Sequence, residues 1–416
     1  MDIKETNLLL TDQPSRPVQI LLVLWGIALS GSRVFFGLNL SWTTILLPIL
    51  LLVIFLSYGY DLKFAAIDLF LCFTGIYALL ISATIMPYLV PGSPIDKSAI
   101  IKYLIIIIYF FIAQQLPFSA IKTIFRAFVN FNVLIAVIGI ISTLAGLQGT
   151  LPFMYYSAER FFGFMNDPNY FSLVQAMSVC ILIASDIKFK HSNILSILLI
   201  SSMLLSGSKT SVVVVIVLTT IILIKYFINN LNTLYRVFLG LIPIICLIIV
   251  IYFTKQFWIP YAQNLGEILG QSPLVQRLMS LFDPNALDSG GSGRTILWEI
   301  GLKIIDAVHG IGVGMTSYLS VSQILFNVSV LSHNTFLQLM AQWGVPLASI
   351  FLIWLILRVI YNLHVSVKFS KTLALMVATI FIYFIALSLN NSPLVWFVFG
   401  IVFSERNNHH LIESSD

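Results

Sequence analysis

The sequence predicts an all-α polytopic membrane protein with about twelve transmembrane helices and one large extracytoplasmic loop. Of its 416 residues, 59% are hydrophobic and 9% charged, whereas soluble globular domains carry about 25% charged residues. Apolar runs near 20 residues recur along most of the chain, the length a helix needs to cross a ~30 Å hydrocarbon core. The runs are continuous rather than alternating, which excludes a β-barrel.

In chain order, Met1 to Pro17 is short and polar with no cleavable signal pattern, so the first span is expected to act as its own insertion signal. Spans follow at approximately 18–37, 41–58, 65–86, 98–116, 124–146, 169–186, 192–206, 210–228, 236–254, 344–362, 371–390 and 391–405. Asn390, Asn391 and Pro393 crowd the turn between the last two. The chain thus divides into membrane helices over 1–254, a loop over 255–343, and membrane helices with a tail over 344–416. Cys72, Cys180 and Cys246 fall inside apolar runs without metal spacing and read as buried small hydrophobes. There is no internal repeat and no low-complexity tract.

The net charge of +5 is no nucleic-acid footprint, because in such a chain Lys and Arg first mark cytoplasmic connections. With both termini inside, the cytoplasmic side holds 13 of the 22 basic residues, the opposite short connections hold 5, and the long loop holds the rest. That bias places the 255–343 loop on the outer face of a cytoplasmic (inner) membrane, with both termini cytoplasmic. Apolar stretches such as Phe257-Trp258-Ile259 and Ile324-Leu325-Phe326 suit a loop lying on the outer mouth of the bundle.

Candidate chemistry gathers on that outer side. Arg160 lies in the run to Asn166-Asp167-Pro168-Asn169, just before a span, and Lys209 lies in the tight turn Ser206-Gly207-Ser208-Lys209. Arg294 follows a Gly/Ser turn and opens a helix predicted over Thr295 to Val308. Leu297, Ile300, Ile304 and Val308 stripe one face of that helix, and Glu299 pairs with Lys303 on the other. A cation in a helix's first turn opposes the macrodipole, but an anion bound there would meet both the arginine and free backbone N–H groups. Placement of Arg294 is therefore poor for stability and good for holding phosphate. His333 precedes Asn334 at the start of a further helix.

Each residue has a plainer reading. A lone outward arginine is usually a solvated or snorkelling residue, Lys209 could simply be solvated, and His333 could be an ordinary interfacial histidine. The glycines of 310–314 read most simply as a flexible turn, since neither context nor spacing fits a Rossmann fingerprint. Convergence on one membrane face is what favours the functional reading. No Walker A motif, His-Glu-x-x-His, Gly-x-Ser-x-Gly or Asp-x-Asp pair is present. Outer carboxylates are few and scattered, so neither a metal nor another cofactor is expected, and cations would have to neutralise any phosphate.

Five motifs occur in a set order: Arg-x-x-Gly-Phe-x-Asn-Asp-Pro-Asn at 160–169, Ser-Gly-Ser-Lys-Thr-Ser at 206–211, Gly-Arg-x-x-x-Trp at 293–298, Gly-Ile-Gly-Val-Gly at 310–314, and His-Asn-Thr-Phe-Leu-Gln-Leu-x-x-x-x-Gly at 333–344. With the twelve-span plan they resemble the O-antigen polymerase and ligase superfamily (Wzy-type polymerases and WaaL-type ligases) over roughly 150 to 405. The resemblance implies a GT-C-like, metal-independent membrane glycosyltransferase whose donor is an oligosaccharide on undecaprenyl pyrophosphate. Its acceptor would be a second lipid-linked repeat unit for a polymerase, or lipid A-core for a ligase. It also implies a flippase and a chain-length regulator as partners. Arg160 and Arg294 would contact the pyrophosphate and His333 would sit by the acceptor, while Lys209, Asn169, Asn334, Gly312 and Gly314 would bind substrate. Two departures matter. Lys209 stands where many members carry Arg, losing the bidentate fork. Leu347 stands where the ligase pattern has Gly, Thr or Tyr, which favours the polymerase. The alternatives are the ligase and, in another class, a lipid-linked sugar transporter or flippase. A transporter usually buries ionisable residues near the bilayer midplane, and here only Asp68 and Lys102 approach that pattern.

Overall fold

The computed structural model describes residues 15–31, 44, 46–50, 62–157, 159–227, 294–365 and 367–404. Most of the expected span 41–58, all of 236–254, Cys246, and most of the first half of the long loop lie outside these residues. The described part is mostly helical. Among the described residues four helices are long and apolar enough to cross a membrane: α2 (Ala66–Thr84), α3 (Lys97–Gln115), α4 (Phe118–Leu144) and α11 (Val345–His364). Further apolar helices join them: α1 (Arg16–Ala28), α5 (Pro168–Ala184), α6 (Ser192–Leu205), α7 (Lys209–Phe227), α12 (Lys368–Phe384) and α13 (Pro393–Phe403). Three more helices belong to the loop: α8 (Arg294–Ala307), α9 (Tyr318–Phe326) and α10 (Thr335–Trp343). The only sheet among the described residues is a two-stranded one, β1 (Tyr155–Tyr156) antiparallel to β2 (Arg160–Phe161), with Tyr156 opposite Arg160.

Local chemistry sets the helix starts. Pro168 and Pro393 sit in first turns, where a missing N–H costs nothing. Asp96, Asp167, Ser317, Asn334 and Ser392 each accept a hydrogen bond from a first-turn backbone N–H. The outer surface is apolar where a bilayer would touch it. On α2, Leu69, Phe73, Ile76 and Leu80 line one face, each more than half exposed. Cys72 lies exposed on the same helix, in contrast to the expectation that all the cysteines are buried; Cys180 is buried, with its Sγ 3.4 Å from Thr379 Oγ1.

Small residues let the helices approach. A Cβ on Gly400 of α13 would sit 2.2 Å from the Phe110 carbonyl of α3, the close contact that glycine permits between membrane helices. Around this contact Trp343, Phe351 and Trp396 stack with centroids 5.4–5.8 Å apart. The end of the chain departs from two spans meeting at 390. Helix α12 stops at Phe384 and α13 starts at Pro393. At eleven residues α13 is about 16 Å long, shorter than a bilayer core, and Leu394–Phe403 are all buried. The non-helical stretch between them is held by side chains of α10. Thr335 Oγ1 donates to the Leu387 carbonyl and accepts from Leu389 N, and Asn390 Nδ2 donates to Gln342 Oε1 at 2.8 Å. Irregular backbone inside an apolar bundle is tolerated when protein satisfies it in this way.

The two ends of the bundle differ. One carries the start of α4, the end of α5, the end of α11 and the start of α12, with Lys122, Arg126, Lys188, Lys190, Arg358, Lys368 and Lys371. The loop helices sit at the other. There Tyr77 Oη donates to the Ile311 carbonyl at 2.9 Å, and Asp96 N donates to the Met315 carbonyl at 2.9 Å. Asp68 sits in the first turn of α2, where it accepts from Ala65 N and Gln114 Nε2, both at 2.8 Å. It is a helix cap rather than a midplane charge.

Candidate functional site

The site is assembled from four segments at the loop end of the bundle. The strand pair β1–β2 presents Arg160 half-buried. Its Nε donates to the Ser206 carbonyl at 2.7 Å and its Nη2 to Asn169 Oδ1 at 3.2 Å. Two of the five N–H groups of the guanidinium therefore fix its plane. They also bring together two segments that the sequence separates, the 160–169 run and the 206–211 turn.

That turn is tightly built. Gly207 has φ of +57°, a left-handed conformation that glycine adopts without steric cost. Ser206 Oγ donates to the Met203 carbonyl at 2.7 Å and accepts from Ser208 N, and Ser208 Oγ accepts from Ser211 N. Lys209 thus begins α7 on a rigid base, directly beyond the carbonyl that holds Arg160.

Asp167 caps α5, its Oδ1 accepting from Asn169 N at 2.7 Å and Tyr170 N at 3.2 Å. Its charge also reaches His333. His333 sits at φ +47°, a conformation costing a non-glycine residue about 1–2 kcal/mol. The turn is held by Ser332, whose Oγ donates to Gln338 Oε1 at 3.0 Å. Desolvation by neighbouring protein, and secondly the Arg294 guanidinium, push the His333 imidazole below its usual pKa, while Asp167 opposes them. The histidine therefore stays neutral near pH 7, able to accept a proton.

Arg294 opens α8, where Ile300, Ile304 and Val308 are buried and Glu299 meets Lys303 at 2.7 Å on the exposed face. The apolar stripe seats α8 against α10, which carries the 333–334 turn at its start. Trp298, one turn beyond Arg294, has a buried indole N–H with no partner among the described residues.

Arg160, Asn169, Arg294 and His333 are thus linked through hydrogen bonds and charge, by way of Asp167, and Lys209 follows the turn that holds Arg160. The other three expected site residues are placed differently. Asn334 is buried, and its Oδ1 accepts from Leu337 N at 3.2 Å as the cap of α10. Gly312, at φ +93°, packs where a Cβ would lie 2.4 Å from Gly344 N. Gly314, at φ +61°, packs where a Cβ would lie 2.1 Å from the Ala78 carbonyl. With Val313 N and Gly314 N donating to the Ala341 and Gln342 carbonyls, the 310–314 segment is a wedge locking the loop to α2 and α10, not a flexible turn. Asp167 is a further residue of the site that the charge pattern alone does not mark; its signal in the sequence is the Asp-Pro pair, an acidic cap followed by a first-turn proline, beside the arginine run.

Residues 194–352 match a family model described as O-Antigen ligase (Wzy_C). That stretch, under half of the chain, is similar to the O-antigen polymerase and ligase superfamily. No curated protein matches the chain. The matched region holds Lys209, Arg294 and His333, whereas Arg160 and Asn169 precede it. The bond from Arg160 to the Ser206 carbonyl ties those two residues to the matched region. Among the described residues, no three His, Cys, Asp or Glu side chains gather as metal ligands would.

Proposed function

We propose that the protein is a glycosyltransferase that polymerises oligosaccharide repeat units carried on undecaprenyl pyrophosphate, at the outer face of the cytoplasmic membrane. The observation that supports this reading is the gathering of Arg160, Arg294 and His333 at one end of an apolar bundle, in a chain whose residues 194–352 match the O-antigen ligase family model. In the proposed reaction an acceptor hydroxyl attacks the anomeric carbon of the donor sugar. The bond from that carbon to the pyrophosphate oxygen breaks, and the pyrophosphate leaves on its prenyl carrier. The hydroxyl proton passes to His333. Charge building on the leaving oxygen is stabilised by Arg160 and Arg294, with Lys209 adjacent, as preorganised donors whose orientation is fixed before the reaction. Protein cations take the part that a metal plays in other transferases. The basic residues at the far end support the assignment of that end, and of both termini, to the cytoplasm. The surface polysaccharide formed would be O-antigen or capsule.

The ligase is the second reading, favoured by the description of the matching family. Leu347, at the position where the ligase pattern has Gly, Thr or Tyr, supports the polymerase. A glycan profile of a strain lacking the protein separates them. A polymerase predicts surface glycan cut to a single repeat on its normal acceptor. A ligase predicts an empty acceptor with long chains stranded on the lipid carrier. Restoration by wild type and not by Arg294→Ala is expected; an unchanged ladder in the deletion strain would sink both readings.

A further inference from the structure

Helices α1 and α4 run in the same direction and touch where Gly26 meets α4. A Cβ there would lie 2.5 Å from the Ile124 carbonyl and 2.9 Å from Ala127 Cβ. Beside this contact the helices leave a groove of about 700 Å³, within the range of small-molecule sites. It lies at the opposite end of α4 from the segment that carries Arg160.

The groove has two chemistries in series. Ile27, Phe131 and Leu134 line its apolar part, while Gln19, Val23, Ser119, Lys122 and Arg126 line its mouth. Lys122 and Arg126 stand four apart on one helix face, an arrangement that is mutually repulsive. No carboxylate lines the groove, and neither cation has an ion-pair partner among the described residues. The Ser119 hydroxyl is buried and has no hydrogen-bond partner among them. Charge and an unmet donor therefore converge at one end of an apolar channel. From Ser119 to Leu134 the groove runs about 22 Å along the helix. Half of a ~40–45 Å bilayer, head groups included, is the same length.

We infer that this groove holds one anionic phospholipid of the leaflet opposite the candidate active site. Its phosphate lies at Lys122 and Arg126, accepting from Ser119 Oγ, and an acyl chain runs toward Leu134. The inference does not rest on the glycosyltransferase reading.

The test reconstitutes the full-length protein in nanodiscs of equal phosphatidylglycerol and phosphatidylcholine, extracts it gently, and counts retained lipids by native mass spectrometry. Wild type is expected to retain one phosphatidylglycerol in preference to phosphatidylcholine. Lys122→Ala with Arg126→Ala should weaken that retention about thirtyfold, from the electrostatic contribution of two basic residues at an anionic surface. Ile27→Trp, which fills the apolar part and leaves the charges, should also displace the lipid, and millimolar inorganic phosphate should not. Equal retention of both lipids, or an unchanged count in the charge variant, overturns the proposal. So does loss in the charge variant with full retention in Ile27→Trp, which would mean surface attraction without a groove. Displacement by phosphate would reduce the site to a free-anion site. Circular dichroism of each variant checks that it is folded, and Lys122→Gln alone serves should the double variant fail to fold.

Discussion

Replacing Arg160 by Lys keeps the charge and removes the fork, which makes it the sharpest probe of the site. In the structure the guanidinium is held at two points, by the Ser206 carbonyl at 2.7 Å and Asn169 Oδ1 at 3.2 Å. A lysine ammonium on a flexible stem cannot meet both acceptors in one plane. A hydrogen bond involving a charged group contributes about 1.5–3 kcal/mol. Arg160 is only half-buried, so the lower part of that range applies to each contact. If the energy of that fixing is what orients the charge at the transition state, its loss costs about 2–3 kcal/mol there, a fall of roughly 30- to 150-fold in kcat/KM. Asn169→Ala removes one acceptor and should cost about 1 kcal/mol, roughly fivefold. The assay is turnover of a synthetic lipid-linked repeat unit by purified protein, with thermal unfolding measured in parallel. Arg160→Lys activity within about threefold of wild type would refute the claim that orientation, rather than charge alone, is what Arg160 supplies. A large drop in both variants matched by a lost unfolding transition would instead make the pair structural.

His333→Gln should lower kcat by about 10²- to 10⁴-fold, the usual range for loss of a general base, with the unfolding midpoint little changed. A base works only when neutral, so activity falls as pH drops through the His333 pKa. Arg294 lowers that pKa and Asp167 raises it. Residual activity of Arg294→Gln should therefore lose its acid limb at higher pH than wild type, and that of Asp167→Asn at lower pH; shifts of the same sign in a pH–rate profile would contradict the assignment. Gly314→Ala forces a Cβ to 2.1 Å from a backbone carbonyl at a positive φ and should cost about 3 kcal/mol or more. Gly146→Ala, also at positive φ but with nothing within 4 Å, should cost about 1–2 kcal/mol; equal unfolding midpoints in detergent would remove the wedge.

The membrane class was legible because hydrophobic run length is a property of each segment by itself. Helix α8 was legible for a related reason: the 3.6-residue stripe of Ile300, Ile304 and Val308 and the Glu299–Lys303 pair need no knowledge of what lies opposite. Helix ends were harder to read. Asn390, Asn391 and Ser392 mark a turn, but hydropathy runs the preceding helix on to 390. What breaks it is tertiary: Thr335 and Gln342 of α10 take hydrogen bonds from and to its backbone and side chains, and those partners lie some fifty residues away. The 310–314 glycines were misleading for a similar reason. Glycine spacing permits both a mobile turn and a close approach, and only the positions of Ala78 and Gly344 decide for the approach.

The same distinction separates the cations of the two ends, although sequence makes them equal. Arg160 is fixed by two acceptors, Lys209 stands on a serine-bonded turn, and His333 is held in a strained conformation by Ser332. These arrangements cost conformational freedom before any ligand arrives, a cost that makes sense where the position of a charge must be defined to a fraction of an ångström. Arg126 at the far end is exposed, and Lys122 and Arg126 have no ion-pair partner among the described residues, which suits an anionic surface that needs only attraction. A bundle that merely anchored itself by charge would have no reason to build the first arrangement. One that merely transported lipid-linked sugar would be expected to place its ionisable groups at mid-depth, whereas Asp68 is a helix cap. Rigid cations at one end and loosely held ones at the other are what the proposed membrane-anchored transferase requires.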